Sequence, residues 1–289
     1  MPCPVERLNF KLGTCTLALD LQDEVAREVV DATYAPMLCE PPRVVQHSAS
    51  IRRLADGRLH ARFGRHALPV PAAGETARNA YFAAREIFAR FASAQEGALA
   101  CYGASVAIDG AGVLILGPSI VGKTLLALHL AHQSAKFMGD ETAIISLRNA
   151  ELFAMMRRAS LRESALELLP TNAMRTHVEQ SPHVFSGDRG RFWYALNRND
   201  LDGVTQSERT FPLRAICVIR ERKDQFSMQN LGLDDAIPLV AQRAYARPAE
   251  LGQIAALRKA LRRVRVFEVT LAGPAESASA IASEVRACA

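Results

Sequence analysis

No apolar run in this 289-residue chain approaches the ~20 residues a membrane-spanning helix needs, so no membrane partner is expected. Glu6, Arg7 and Asn9 interrupt the N-terminus before any apolar stretch forms, so no secretory leader is expected either. Six cysteines stand at positions 3, 15, 39, 101, 217 and 288. No two of them have C-x-x-C spacing, and no Cys/His cluster has zinc-finger spacing. Reduced thiols in a cytoplasmic protein are the expectation. Aromatic residues are only 6% of the chain and Trp occurs once. Few aromatics lie among the arginines and no continuous basic stripe exists, so no nucleic-acid partner is expected. Internal repeats and low-complexity segments are absent as well.

What is present reads as an ordinary globular chain, with 49% hydrophobic and 22% charged residues, enough for one large domain or two small ones. The formal charge of +5 suits an anionic substrate such as ATP or an acidic peptide. It is equally explained by arginine-rich solvated faces, with local doublets at Arg52-Arg53, Arg157-Arg158 and Arg262-Arg263. Residues 6–20 alternate loosely and suggest one or two strands. Residues 22–35 carry helical spacing with Asp20 as a candidate N-cap. An Asp56-Gly57 turn between alternating runs marks a hairpin over 48–63. Residues 75–94 read as a helix with Tyr81, Phe82, Ile87, Phe88 and Phe91 on its buried side. A second hairpin spans 104–116 around Asp109-Gly110. Residues 136–145 read as strand, acidic tip and strand, and 150–169 as a strand followed by a turn or helix. Polar, Gly- and Asp-rich residues 172–192 suggest a mobile loop. A buried strand is expected over 213–220 and another over 264–269. Helices are expected over 234–243, 248–263 and 275–288.

The second hairpin leads into the most informative stretch. Gly117, Pro118, Ser119, Ile120, Val121, Gly122, Lys123 and Thr124 satisfy the phosphate-loop pattern G-x-x-x-x-G-K-[ST] at every fixed position. The loop follows an apolar run, 113–116, and opens a helical one, 125–131. That strand–loop–helix context is what makes the pattern meaningful. Backbone N–H groups of such a loop, with the free donors of the helix N-terminus, form a nest for phosphate oxygens. Lys123 would reach the outer phosphates and the Thr124 hydroxyl would ligate Mg²⁺. A Gly-rich structural turn is the plainer alternative.

From about residue 99 onward the chain resembles the HPr kinase/phosphorylase-like family, whose core is similar to that of phosphoenolpyruvate carboxykinase. The residues that carry the resemblance are the run from Tyr102 through Ser119, the run from Gly122 through Ala131, and Phe137-Met-Gly-Asp-Glu-Thr-Ala-Ile-Ile145. Weaker echoes are Ser160-Leu161-Arg162 and the strand beginning at Phe211. The resemblance implies an α/β fold, a mixed sheet with a hairpin leading into the P-loop, over 98–289. The region over 1–97 does not look like the family's usual N-terminal domain; it reads as a smaller α+β region whose position suggests recognition of a substrate or partner. The resemblance further implies transfer of a phosphoryl group from ATP, with Mg²⁺, to a serine-type hydroxyl of a peptide or small protein. Lasso-peptide tailoring kinases are among the relatives. Asp140 takes the first place of the family's acidic pair, as base toward the acceptor hydroxyl or as a metal-holding group, and Glu141 takes the second, sharing the metal. Arg162 matches a basic position, and Arg243 and Arg247 lie where relatives carry substrate contacts. His129, Trp193 and Tyr194 read as packing or strand residues. Homo-oligomers occur in the family.

Three positions depart from the family pattern. Ile120 stands where Gly is usual, and a β-branched residue is costly wherever φ is positive. Tyr102 stands where His is frequent, and a phenol does not titrate near neutral pH. Glu141 is one methylene longer than the family's second Asp. These departures favour a rival function, a nucleotide-binding regulator that has lost catalysis; a small-molecule kinase is a second rival.

Overall fold

The computed structural model describes residues 4–13, 15–71, 74–155, 157–181, 184–187, 190–194, 196, 210–245 and 251–287. Arg247, which the resemblance marks as a possible substrate contact, lies outside them.

The described residues form a mixed α/β structure with three sheets. The first sheet is N-terminal. Strands β1 (Glu6–Leu12), β2 (Cys15–Gln22), β3 (His47–Arg53), β4 (Leu59–Phe63) and β5 (His66–Leu68) lie side by side in chain order. Only the β2–β3 pair is parallel, because helix α1 (Glu24–Tyr34) intervenes and returns the chain. The cap of α1 is Asp23, whose carboxylate accepts the Ala26 N–H. The expected cap, Asp20, instead lies within β2 and pairs with Arg7 across the strands. Helix α2 (Thr76–Ser93) packs on this sheet through Ile87, Phe88 and Phe91.

The second sheet carries the candidate site. It contains β6 (Ala98–Cys101), β7 (Gly103–Ile108), β8 (Ala111–Leu116), β9 (Lys136–Gly139), β10 (Ala143–Ser146), β11 (Glu151–Phe153), β15 (Thr210–Arg222), β16 (Ser227–Leu231) and β17 (Arg265–Leu271). Strands β7 and β8 form the expected hairpin, turned at Asp109 and Gly110, both of positive φ. Strand β15 runs parallel to β8 on one pairing and to β17 on another. Helices cover both faces, so β8 is apolar at every position. Val113 and Ile115 face the core formed with α3 (Lys123–His132) and α7 (Pro274–Ala287). Leu114 and Leu116 face the core shared with α2, α5 (Leu233–Ala241) and α6 (Leu251–Leu261). An apolar strand without alternation is what two-sided burial requires.

The third sheet joins β12 (Ser160–Arg162), β14 (Gly190–Tyr194) and β13 (Phe185–Gly187). The described part of 172–192 therefore holds a helix and two strands where a loop is expected. Thr171 caps helix α4 (Asn172–Gln180) by accepting the Met174 N–H. Trp193 lies buried in β14 and donates from Nε1 to the Ser181 carbonyl. The polarity that suggested a loop reflects a helix with Val178 as its buried residue. Among the described residues, no helix is long and apolar enough to cross a membrane.

Candidate functional site

Strand β8 ends at Leu116 and α3 begins at Lys123, so the eight-residue pattern lies between a strand and a helix, as expected. Gly117 packs so tightly on β15 that a Cβ there would stand 2.9 Å from the Ile219 carbonyl oxygen. Gly122 caps α3 at φ 111 with no side-chain partner, leaving the first N–H groups of the helix free. Ile120 has φ 72. The position does require the left-handed conformation, which L-residues adopt at a cost of about 1–2 kcal/mol. Its side chain is 54% exposed, so packing recovers little of that.

Lys123 is buried and folded onto its own loop. Its Nζ donates to the carbonyls of Gly117 at 3.2 Å and Pro118 at 2.6 Å. It also sits 4.5 Å from the centroid of the Tyr102 ring. Burial lowers the ammonium pKa to about 8, against the pull of Asp140. Tyr102 is itself held by its N–H to the Arg243 carbonyl at 2.7 Å. Burial, then Glu141 and Asp140, push its phenol above the usual value. The titratable His of the resemblance is therefore replaced by a neutral ring that faces the lysine.

Thr124 donates to both oxygens of Asp140, at 3.0 and 3.1 Å. Asp140 follows β9, and its 1% exposure makes it a buried carboxylate. Oδ2 also accepts the Ser160 N–H at 3.1 Å and the Ser160 hydroxyl at 2.9 Å, while Oδ1 accepts from Thr124 alone. Burial, then Glu141, raise its pKa. Gly139 before it has no room for a Cβ, which would collide with the Met155 carbonyl oxygen.

Glu141 is the centre of a γ-turn. Its φ is 60, and the Thr142 N–H closes onto the Asp140 carbonyl at 2.7 Å, a strained geometry. Tyr245 pins the turn from outside, donating to the Glu141 carbonyl at 2.8 Å. The turn sends the two carboxylates to different partners. Glu141 pairs with the fully buried Arg157 at 2.6 Å, accepts the Tyr81 hydroxyl at 2.9 and 3.0 Å, and accepts Ser160 Oγ at 3.2 Å. Burial pushes its carboxyl up, but Arg157, Tyr81 and Arg85 outweigh burial and hold it below the usual value.

A cleft of about 160 Å³ opens over these groups, lined by Lys123, Thr124, Asp140, Ser160, Arg162 and Arg222 among others. The structure thus gathers Lys123, Thr124, Asp140, Glu141 and Arg162 into one place. His129 is apart, buried on α3 with Nε2 against the Leu168 carbonyl. Ser160, Arg157, Tyr81 and Tyr245 join the site without having been marked by the sequence as part of it. Ser160 lies in the Ser-Leu-Arg echo, and Arg157 in a doublet read as surface charge.

The donor set around Thr124 is oxygen only: two hydroxyls and carboxylates. That fits a hard cation such as Mg²⁺, which takes one or two protein carboxylates beside substrate phosphates. Among the described residues no cluster of three or more His, Cys, Asp or Glu suits a metal held by protein alone.

No protein-family model matches the chain, and no curated protein matches it. Among solved structures, the Hpr(Ser) kinase/phosphatase from Coxiella burnetii aligns over 65% of this chain and 88% of its own. The identity is 13% and the TM-score 0.32. A likeness of that degree carries no argument about what this chain does.

Proposed function

We propose that the chain is an ATP- and Mg²⁺-dependent phosphotransferase acting on a hydroxyl of a peptide, small protein or metabolite. The observation that carries this reading is the Thr124–Asp140 contact: the hydroxyl of the loop motif and a buried carboxylate already face each other at 3.0 Å. Thr124 and Asp140 would hold Mg²⁺, which would neutralise phosphate charge. Free N–H groups at the start of α3 would take phosphate oxygens. Lys123, released from its loop carbonyls, would supply positive charge to the transferred group. In transfer, the acceptor oxygen bonds to the γ-phosphorus as the bond to the ADP oxygen breaks. The acceptor's proton goes to Asp140, the buried carboxylate beside the loop. Oδ1, with a single partner, is the atom placed to do so.

A second reading has its own support. Ile120 at φ 72 and Lys123 closed on loop carbonyls suit a protein that binds nucleotide without transferring phosphate. Calorimetry with MgATP tests both, using wild type, Lys123→Ala and Asp140→Asn. Binding that is lost in the Lys123 variant supports a working loop. Equal binding by that variant sinks it. Transfer of label from γ-phosphate to an acceptor, abolished in Asp140→Asn, separates the phosphotransferase from the regulator.

A further inference from the structure

A second cavity, of about 280 Å³, opens beside the cleft and shares Tyr102, Ser119, Glu141, Arg162 and Phe192 with it. Arg78, Tyr81, Phe82 and Arg85 of α2 and Phe185 of β13 form the rest of its lining. It therefore stands between the phosphate loop and the N-terminal part of the chain.

Its charge is one-sided. Three guanidinium groups line it, and Glu141 is the carboxylate among the lining residues. Glu141 is bonded by Arg157 and Tyr81, and its charge acts on Arg85 from beyond ion-pair distance. Each of the three arginines lies over an aromatic ring instead of a carboxylate. Arg162 stands 4.4 Å from the Phe192 centroid, Arg85 stands 5.0 Å from that of Phe82, and Arg78 stands 5.8 Å from it. Among the described residues none of the three makes an ion pair within 4.0 Å. Rings hold a guanidinium in place without neutralising it. Gathered cations in a concave site focus a positive potential on whatever enters. The volume lies just under the range of about 300–1,000 Å³ typical of drug-sized ligands, so one amino-acid-sized group fits.

We infer that this cavity is the acceptor pocket of the phosphotransferase proposed above, and that the acceptor carries a carboxylate close to its reacting hydroxyl. The inference rests on that proposal. The carboxylate meets Arg78, Arg85 and Arg162, and the hydroxyl is left toward Asp140 in the adjoining cleft. Two sources share this chemistry: a serine flanked by acidic residues in a peptide, and a free hydroxy acid.

The test is binding to the full chain, read by fluorescence anisotropy and competition. The probes are a capped, labelled peptide with serine flanked by glutamates, its glutamine counterpart, and free glycerate. MgATP affinity is measured in parallel by calorimetry. The glutamate peptide or glycerate binds at least tenfold more tightly than the glutamine peptide. Arg78→Gln, alone or with Arg85→Gln, removes that preference, Arg78→Lys keeps part of it, and MgATP affinity is unchanged in Arg78→Gln. Binding of the peptide without glycerate assigns the source as an acidic peptide; the reverse assigns a free hydroxy acid. Equal binding of the glutamate and glutamine peptides with no binding of glycerate overturns the inference. So does an Arg78→Gln variant whose MgATP affinity falls in step with peptide affinity, because the cavity then serves the nucleotide. A wild type that binds the acidic probe but not MgATP sinks the phosphotransferase itself, and the acceptor role with it.

Discussion

The Lys123 ammonium lies 4.5 Å from the centroid of the Tyr102 ring, at the position where the family resemblance puts a histidine. The ring face attracts the cation, while a histidine that took up a proton there would repel it. The contact is worth about 1–2 kcal/mol when partly desolvated. Tyr102→Phe keeps the ring, so folding stability should change little. Tyr102→Ala loses it and should cost at least about 1–2 kcal/mol of stability. Denaturant melts of the two variants decide the matter. Equal loss in both would mean that the hydroxyl acts and the ring does not.

Lys123 also sets a pH dependence. With its pKa lowered to about 8 in the free protein, a growing fraction is neutral above that pH, and phosphate must restore the charge. MgATP affinity should therefore fall by up to tenfold per pH unit above about 8, with proton uptake on binding near that pH. Folding stability runs the other way. Between about 8 and the unfolded value of 10.5 the unfolded chain holds the extra proton, so stability rises with pH across that window. Lys123→Met should stabilise the fold by about 1–3 kcal/mol at pH 7 while abolishing nucleotide binding. An affinity that stays flat from pH 7 to 9.5 would show that the lysine is charged throughout.

Ile120 carries strain that its surroundings do not reward. A β-branched residue at φ 72, half exposed, is less stable there than glycine by about 1–2 kcal/mol, and glycine returns part of that through its freer unfolded chain. Ile120→Gly should gain up to about 1 kcal/mol in urea denaturation. Destabilisation in that variant would mean that the exposed isoleucine makes a contact worth more than its backbone costs.

The loop, the helix behind it and the acidic pair were legible because each is local. Glycine spacing marks 117–124, and a short apolar run ending in Gly-Asp-Glu marks 137–141. The hairpin at Asp109-Gly110 was legible for the same reason. What could not be read depends on distant pairing. Ser160 reaches Asp140 because β12 pairs with β14, Tyr81 reaches Glu141 across 60 positions, and neither leaves a periodic trace. Arg157 and Arg158 form one doublet, yet Arg157 is 3% exposed, and composition alone reads both as solvent-facing. Helix α4 reads as loop in the sequence because its exposed polar residues resemble loop composition, although Thr171 is an ordinary N-cap.

Arg157 and Glu141 make the last case, where burial decides the sign. The pair is 2.6 Å apart, and the arginine side chain has no exposure. Removing one partner from a buried pair strands the other charge, at about 3–5 kcal/mol. Arg157→Met should lose that much at pH 7. The wild-type carboxyl lies below its usual value, so its contribution is present above the unfolded value and lost as pH falls through the folded one. Without Arg157, burial raises the same carboxyl, and the variant's deficit should shrink toward pH 4, where the group is protonated and neutral. Arg157→Met combined with Glu141→Gln removes both charges and should recover most of the loss. Denaturant melts of both single variants and the double, at pH 4 and pH 7, complete the cycle. A deficit that does not change with pH would assign the role of Arg157 to its packing against Tyr34, 5.2 Å from that ring's centroid, and remove charge from the account.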